Sequence, residues 1–279
     1  MTNEPYTIGM MLPAHALKAH NDGADSANKI HDDRVAAQYG FRAGLVPGVT
    51  VYAYMTYPLM QQLGETWLAQ GRAQVKLVKP CYDGDQVTVV ATVSGTTEDT
   101  VSFDVRSTNA QGIDCGVGTA TLLTHTRTAP GLDEVAAGVA GQPSIPVSWD
   151  AIVVGEPLPA LRFTVTEADN QAYCRTYDDD LEVYQGNKAC VHPGFLLHQC
   201  NRIFSERFQL GPWMHVASEI AMYRPCRVGD AIEVRGVPVD KFEKKGHEFV
   251  VLDVLLSANA EAAQRVTHAC IYQPRKGQD

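Results

Sequence analysis

The sequence predicts an α+β fold in which one unit occurs twice, each copy a long apolar helix wrapped by an antiparallel sheet. Three pairs of segments recur in the same order. VPGVTVYAY from Val46 matches HPGFLLHQC from His192, PCYDGDQVTV from Pro80 matches PCRVGDAIEV from Pro225, and GTATLLTH ending at His125 matches VTHACIYQ ending at Gln273. Each pair lies roughly 146 residues apart, and one offset kept in three places marks an internal duplication. In both copies a Pro-Gly step opens an apolar stretch of about four turns, too long and too uniformly apolar for a strand. Alternating strand-like stretches follow it.

The elements follow in order. Asp33 to Tyr39 reads as a short helix with Asp32 and Asp33 in its acidic first turn. Gly48 to about Leu63 is the first long helix, with a possible kink at Pro58. Strands are expected over 73–80, 85–95, 100–110 and 116–126, separated by Gly-Asp and Asn turns. Residues 127–150 are rich in Pro, Gly and Ala and read as a linker over the surface. The second copy begins with Thr166-Glu167-Ala168-Asp169, the start of a capping box. It continues with a helix from Gly194 to about Phe208 and strands over 214–225, 230–240, 247–258 and 264–273. The expected organisation is a repeat over 1–126, the linker over 127–150 and a second repeat over 151–279. A helix buried against curved strands is the hot-dog arrangement, and two copies in one chain would pack as a pseudo-twofold pair, a double hot-dog.

Composition excludes several classes. Of 279 residues, 45% are hydrophobic and 20% charged, the balance of a globular protein, and a net charge of −9 disfavours a nucleic-acid surface. Ala43 to Gly64 carries no charge, but its two prolines and polar residues favour a helix buried in protein over a membrane span. The seven scattered cysteines form no C-x-x-C pair, so reduced thiols in a cytoplasmic protein are expected, and no metal site.

The segment from Asn28 to Phe41, NKIHDDRVAAQYGF, resembles the hydratase signature of MaoC-like proteins, a family that includes the R-specific enoyl-CoA hydratases. Asn28, Ile30, His31, Asp33, Ala37, Gly40, Phe41 and Gly48 fall in register with it. The resemblance implies a hydro-lyase acting on an acyl thioester of the 2-enoyl or 3-hydroxyacyl-CoA type, with His31 as base and an acid partner. Backbone amides at the helix start near Gly48 would polarise the thioester carbonyl. Asn28, Asp33, Val46, Gly48, Val49 and Tyr52 are the expected substrate-binding residues. The sequence departs from the pattern where the acid should stand: Ser26 lies five residues before His31, and Asp25, one position off, is the candidate partner. Lys29 replaces the usual Pro. In the second copy Asp179 falls at the acid position and Tyr184 at the imidazole position, so with Gly194 they form a degenerate second site. His192 is expected to pack at the helix entrance.

The partner is then acyl-CoA or another acyl thioester, with no cofactor, no nucleic acid and no membrane, and tandem pairs of this kind would dimerise again. Two other readings stay open. One is a non-catalytic double hot-dog with a decayed dyad that binds an acyl or other apolar ligand. The other is an acyl-CoA thioesterase, although no acid occurs from Gly48 to Gly64.

Overall fold

The computed structural model describes residues 6–275. In chain order its elements are β1 (His15–Lys18), α1 (Asp33–Ala37), α2 (Gly48–Leu63), α3 (Glu65–Gln70), β2 (Gly71–Leu77), β3 (Gln86–Thr96), β4 (Thr100–Asn109), β5 (Asp114–Leu123), β6 (Ile145–Pro146), β7 (Leu161–Thr164), α4 (Glu167–Thr176), α5 (Pro193–Arg207), β8 (Phe208–Gln209), β9 (Met214–Met222), β10 (Ala231–Lys244), β11 (His247–Ala258) and β12 (Glu261–Gln273). Both long helices and all eight anticipated strands are present. The predicted helix over 33–39 ends two residues earlier, and the short edge strands β1 and β7 and the helix α3 join the anticipated set.

The large strands form one ten-stranded sheet in the order β1-β3-β4-β5-β2-β9-β12-β11-β10-β7. That order is palindromic in the repeat: each half contributes five strands, and the halves meet where β2 pairs antiparallel with β9 from Arg72↔Ala221 to Lys76↔Ala217. Alternation explains the buried face. Val87, Val89, Ala91 and Val93 of β3 point inward and are nearly inaccessible, while Thr88 and its exposed neighbours face out. α2 and α5 fill the inside of the curved sheet, and one apolar core runs through both halves. The helices approach closely where Gly194 meets Ala53, and a side chain at Gly194 would sit 2.5 Å from the Ala53 Cβ. This is the double hot-dog, an α+β fold.

The duplicated Pro-Cys-x-x-Gly-Asp step proves to be one turn built twice. Gly84 and Gly229 take φ of +79° and +88°, a left-handed conformation that favours glycine. In each, the aspartate that follows accepts from the amide three residues back: Asp85 from Tyr82 at 3.1 Å and Asp230 from Arg227 at 2.8 Å. Residues 127–150 lie against the sheet. Arg127 donates to the carbonyls of Gly71 and Met222, Val135 packs with Leu255 and Ala262, and β6 pairs parallel with β8 at the end of α5. The Thr166 capping box opens α4, with Thr166 Oγ1 accepting from the Asp169 amide at 3.1 Å. The α2 helix runs unbroken through Pro58. Among the described residues no helix is long and apolar enough to cross a membrane.

Candidate functional site

A cavity of about 180 Å³ opens at the start of α2. Asn28, Ile30 and His31 form one side of it, Gly48 and Val51 of α2 the base, and Asn201, Trp213 and His215 from the second repeat the far wall. Residues Lys29–His31 make a single 3-10 turn capped by the Asn28 side chain, which accepts from the Ile30 amide. That turn brings His31 over the helix start. Gly23 backs the ring, and a Cβ there would meet the imidazole at 2.7 Å.

The ring's two nitrogens have different partners. Nδ1 lies 2.6 Å from the Leu45 carbonyl, which can only accept, so Nδ1 carries the proton. Nε2 is left with its lone pair and lies 3.2 Å from the Asn28 amide nitrogen, which donates. Asn28 is itself clamped by the second repeat. Its Nδ2 donates to the Trp213 carbonyl at 2.9 Å and its Oδ1 accepts from the Trp213 amide at 3.1 Å. Burial pushes the His31 pKa below its ordinary value, opposed by the Leu45 hydrogen bond and the negative charge of Asp22, so the ring is a neutral base.

Among the described residues no carboxylate bonds to His31. Asp25, the expected partner, is exposed and does not line the cavity. The acid whose charge reaches the ring is Asp22, which accepts from Thr50 Oγ1 at 2.9 Å and from the Tyr177 hydroxyl at 2.6 Å. Its position nine residues before His31 hid it from a pattern that seeks the acid five residues back. Asp33 does not line the cavity either; it ties the loop by accepting from the Gly44 amide at 2.8 Å, while Asp32 caps α1. Val46 and Gly48 line the cavity, whereas Val49 is buried and does not. Tyr52 faces a separate small void deeper along α2.

The two helix starts differ in chemistry. Pro47 precedes α2 and makes no side-chain cap, and the amides of Gly48 and Val49 donate to no described protein group. At α5 the structural offset is one residue less than the Pro-Gly match suggests. Val46 and Val191 make equivalent bonds to the carbonyls of Cys81 and Cys226, so His192 stands where Pro47 does. Pro193 then brings no N–H, and His192 Nδ1 accepts the Gly194 amide at 3.0 Å. His192 Nε2 donates to Asp179 at 3.1 Å, with both side chains buried. Tyr184 ends the matching 3-10 turn, fully buried, with its hydroxyl unpartnered. The second start is closed by protein, whereas the first is open.

Asn201 and His215 of the far wall belong to a hydrogen-bonded chain that sequence reasoning missed. His215 Nε2 meets Ser218 Oγ at 2.9 Å, Ser218 Oγ meets His268 Nδ1 at 2.8 Å, and His268 Nε2 meets Asn201 Oδ1 at 2.8 Å. The rings of His215 and His268 stack at 4.3 Å. Burial lowers the His215 pKa to about 4 and drives His268 well below its ordinary value, aided by the neighbouring His215, so both imidazoles are neutral. These residues come from α5, β9 and β12, and no local spacing links them.

No protein-family model matches the chain, and neither does any curated protein sequence. Solved structures do. A structure named as a MaoC domain protein dehydratase from Chloroflexus aurantiacus J-10-fl superposes with a TM-score of 0.69 at 13% identity, covering 98% of this chain and 97% of that one. A conserved Mycobacterium tuberculosis protein described as a double hotdog fold gives 0.66 at 12% identity, over 96% and 98%. An acyl-CoA thioesterase II from Mycobacterium marinum gives 0.51 at 10% identity, over 85% and 92%. At these identities the likeness is one of fold.

Proposed function

We propose that this chain is a hydro-lyase acting on acyl thioesters, adding water to a 2-enoyl thioester or removing it from the 3-hydroxyacyl form. The carrying observation is a neutral imidazole with its basic Nε2 at a cavity that also presents the unpaired Gly48 amide. In the hydration direction the Asn28 N–H yields the Nε2 lone pair to water, and Nε2 takes a proton as the water oxygen bonds to the β-carbon. The charge that moves onto the thioester oxygen is held by the α2 amides at Gly48 and Val49. The imidazolium, stabilised by the Asp22 charge, returns the proton to the α-carbon on the same face, restoring the neutral base. One residue thus closes the proton balance, so Asp25 is not required. Support from the comparisons is limited to fold: structures named as dehydratases and as a thioesterase share it.

A binding role has one observation in its favour, the absence of a hydrogen-bonded carboxylate at His31. Hydration of a panel of trans-2-enoyl-CoA esters separates the readings. The proposal expects turnover lost in His31→Ala; ligand binding without turnover at any chain length favours the binding module, and release of free CoA favours the thioesterase. With the enzyme reading go two repeats, 1–126 and 151–279, joined by 127–150, and a homodimer of double hot-dogs.

A further inference from the structure

Val51 of α2 and Cys115 of β5 line the cavity. One turn further along the same helix face stands Met55. Met55 lies on Gly116, the first glycine in the Gly-Val-Gly of β5. A Cβ on Gly116 would lie 2.7 Å from Met55 Sδ and 3.2 Å from Val51 Cγ1. A glycine inside a strand marks a close approach, and here the approaching group is a thioether. Beyond Met55 lies a second void of only about 10 Å³, the space of roughly one water. It is bounded by Tyr52, Trp67 and Ala120, and the Tyr52 hydroxyl and Trp67 Nε1 are buried there without partners. Val51 lines the first void and Met55 the second, and both side chains meet at the Gly116 position.

We infer that Met55, seated on Gly116, is the acyl-chain stop, and that the substrate is a thioester of a short or compact acyl group. This rests on the acyl-thioester reading above. A cavity of about 150 Å³ accommodates benzene, so the 180 Å³ here suits an acyl group of about six carbons or one aromatic ring. Each methylene that finds apolar space tightens binding about fourfold, and a methylene that meets Met55 adds nothing. Unbranched and rotatable, methionine holds the boundary by packing and not by bonding.

The test is calorimetric titration of the full chain with saturated acyl-CoA esters from butyryl to dodecanoyl, on wild type, Met55→Ala and Gly116→Ala, each checked for native circular dichroism. Wild-type affinity should climb about fourfold per methylene to near hexanoyl and then level off. Met55→Ala, which empties the space behind Val51, should carry the climb to longer chains. Gly116→Ala, which pushes the thioether into the cavity, should bring the break to shorter ones, and it decides the matter alone if Met55→Ala does not fold. An unbroken climb to dodecanoyl in wild type, or a break that stays put in the folded variants, overturns the stop. Binding with no dependence on length overturns the stop alone, whereas no binding of any ester overturns the acyl-thioester reading and the stop with it.

Discussion

Replacing His192 with alanine separates structure from chemistry at the two helix starts. The imidazole holds Gly194 through Nδ1 and Asp179 through Nε2, at 3.0 and 3.1 Å, inside a fully enclosed site. Its loss removes a helix cap, about 0.5–2 kcal/mol, and a hydrogen bond to a carboxylate, about 1.5–3 kcal/mol. It also leaves a cavity beside Tyr173 and Tyr184, whose rings pack on the imidazole. The two bonds share one ring, so their costs are not additive, and a net loss of about 3 kcal/mol is expected. Against a typical total of about 5–15 kcal/mol, that is a large fraction. Urea unfolding followed by both circular dichroism and tryptophan fluorescence should show the midpoint falling, while the folded variant keeps its kcat/KM on an enoyl-CoA. A loss under about 1 kcal/mol accompanied by collapsed turnover would refute the reasoning, because the second helix start would then be chemical.

Three further outcomes follow from the same geometry. The His31 pKa is lowered by burial, so its neutral form persists to pH below about 6.5. The acid limb of kcat/KM should therefore lie below that pH, and a limb above 7 would contradict the assignment. His215 titrates near 4 when folded and near 6.5 when unfolded. The unfolded chain holds more protons between those values, so stability is full above pH 6.5 and falls with pH by on the order of 3 kcal/mol by pH 4. Denaturation midpoints across that range should fall, and His215→Gln should flatten the slope; equal slopes would show the buried imidazole is not its source. Asn28→Ala frees the His31 turn from Trp213, and the misplaced base should lower the measured kcat about 100-fold.

Much of the fold was legible because its signals are local and repeated. α2 begins at Gly48 and ends at Leu63 as the apolar run indicates, and β11 spans 247–258 as its alternation does. The edge strands β1 and β7 escaped because four residues carry too little alternation to stand out, and their pairing partners lie far away in sequence. His31, Asn28 and Gly48, which line the cavity, were legible through the resemblance to the hydratase signature. Asp22 was not, since its link to His31 passes through the fold and not through a fixed interval. Nor was the His215–Ser218–His268–Asn201 wall, assembled from three elements of the second repeat. One difference was present in the sequence and easily passed over: His192 stands at the N-cap where the first repeat has Pro47, and that single exchange closes one helix start and leaves the other open.

His31 as the base of acyl-thioester hydration is tested most directly by turnover of short trans-2-enoyl-CoA esters by wild type and His31→Ala, with acyl-CoA binding measured alongside. Wild type should hydrate these esters, and the variant should lose at least about 100-fold in kcat with binding retained. Equal turnover by the two proteins, or binding with no turnover by either, would contradict it.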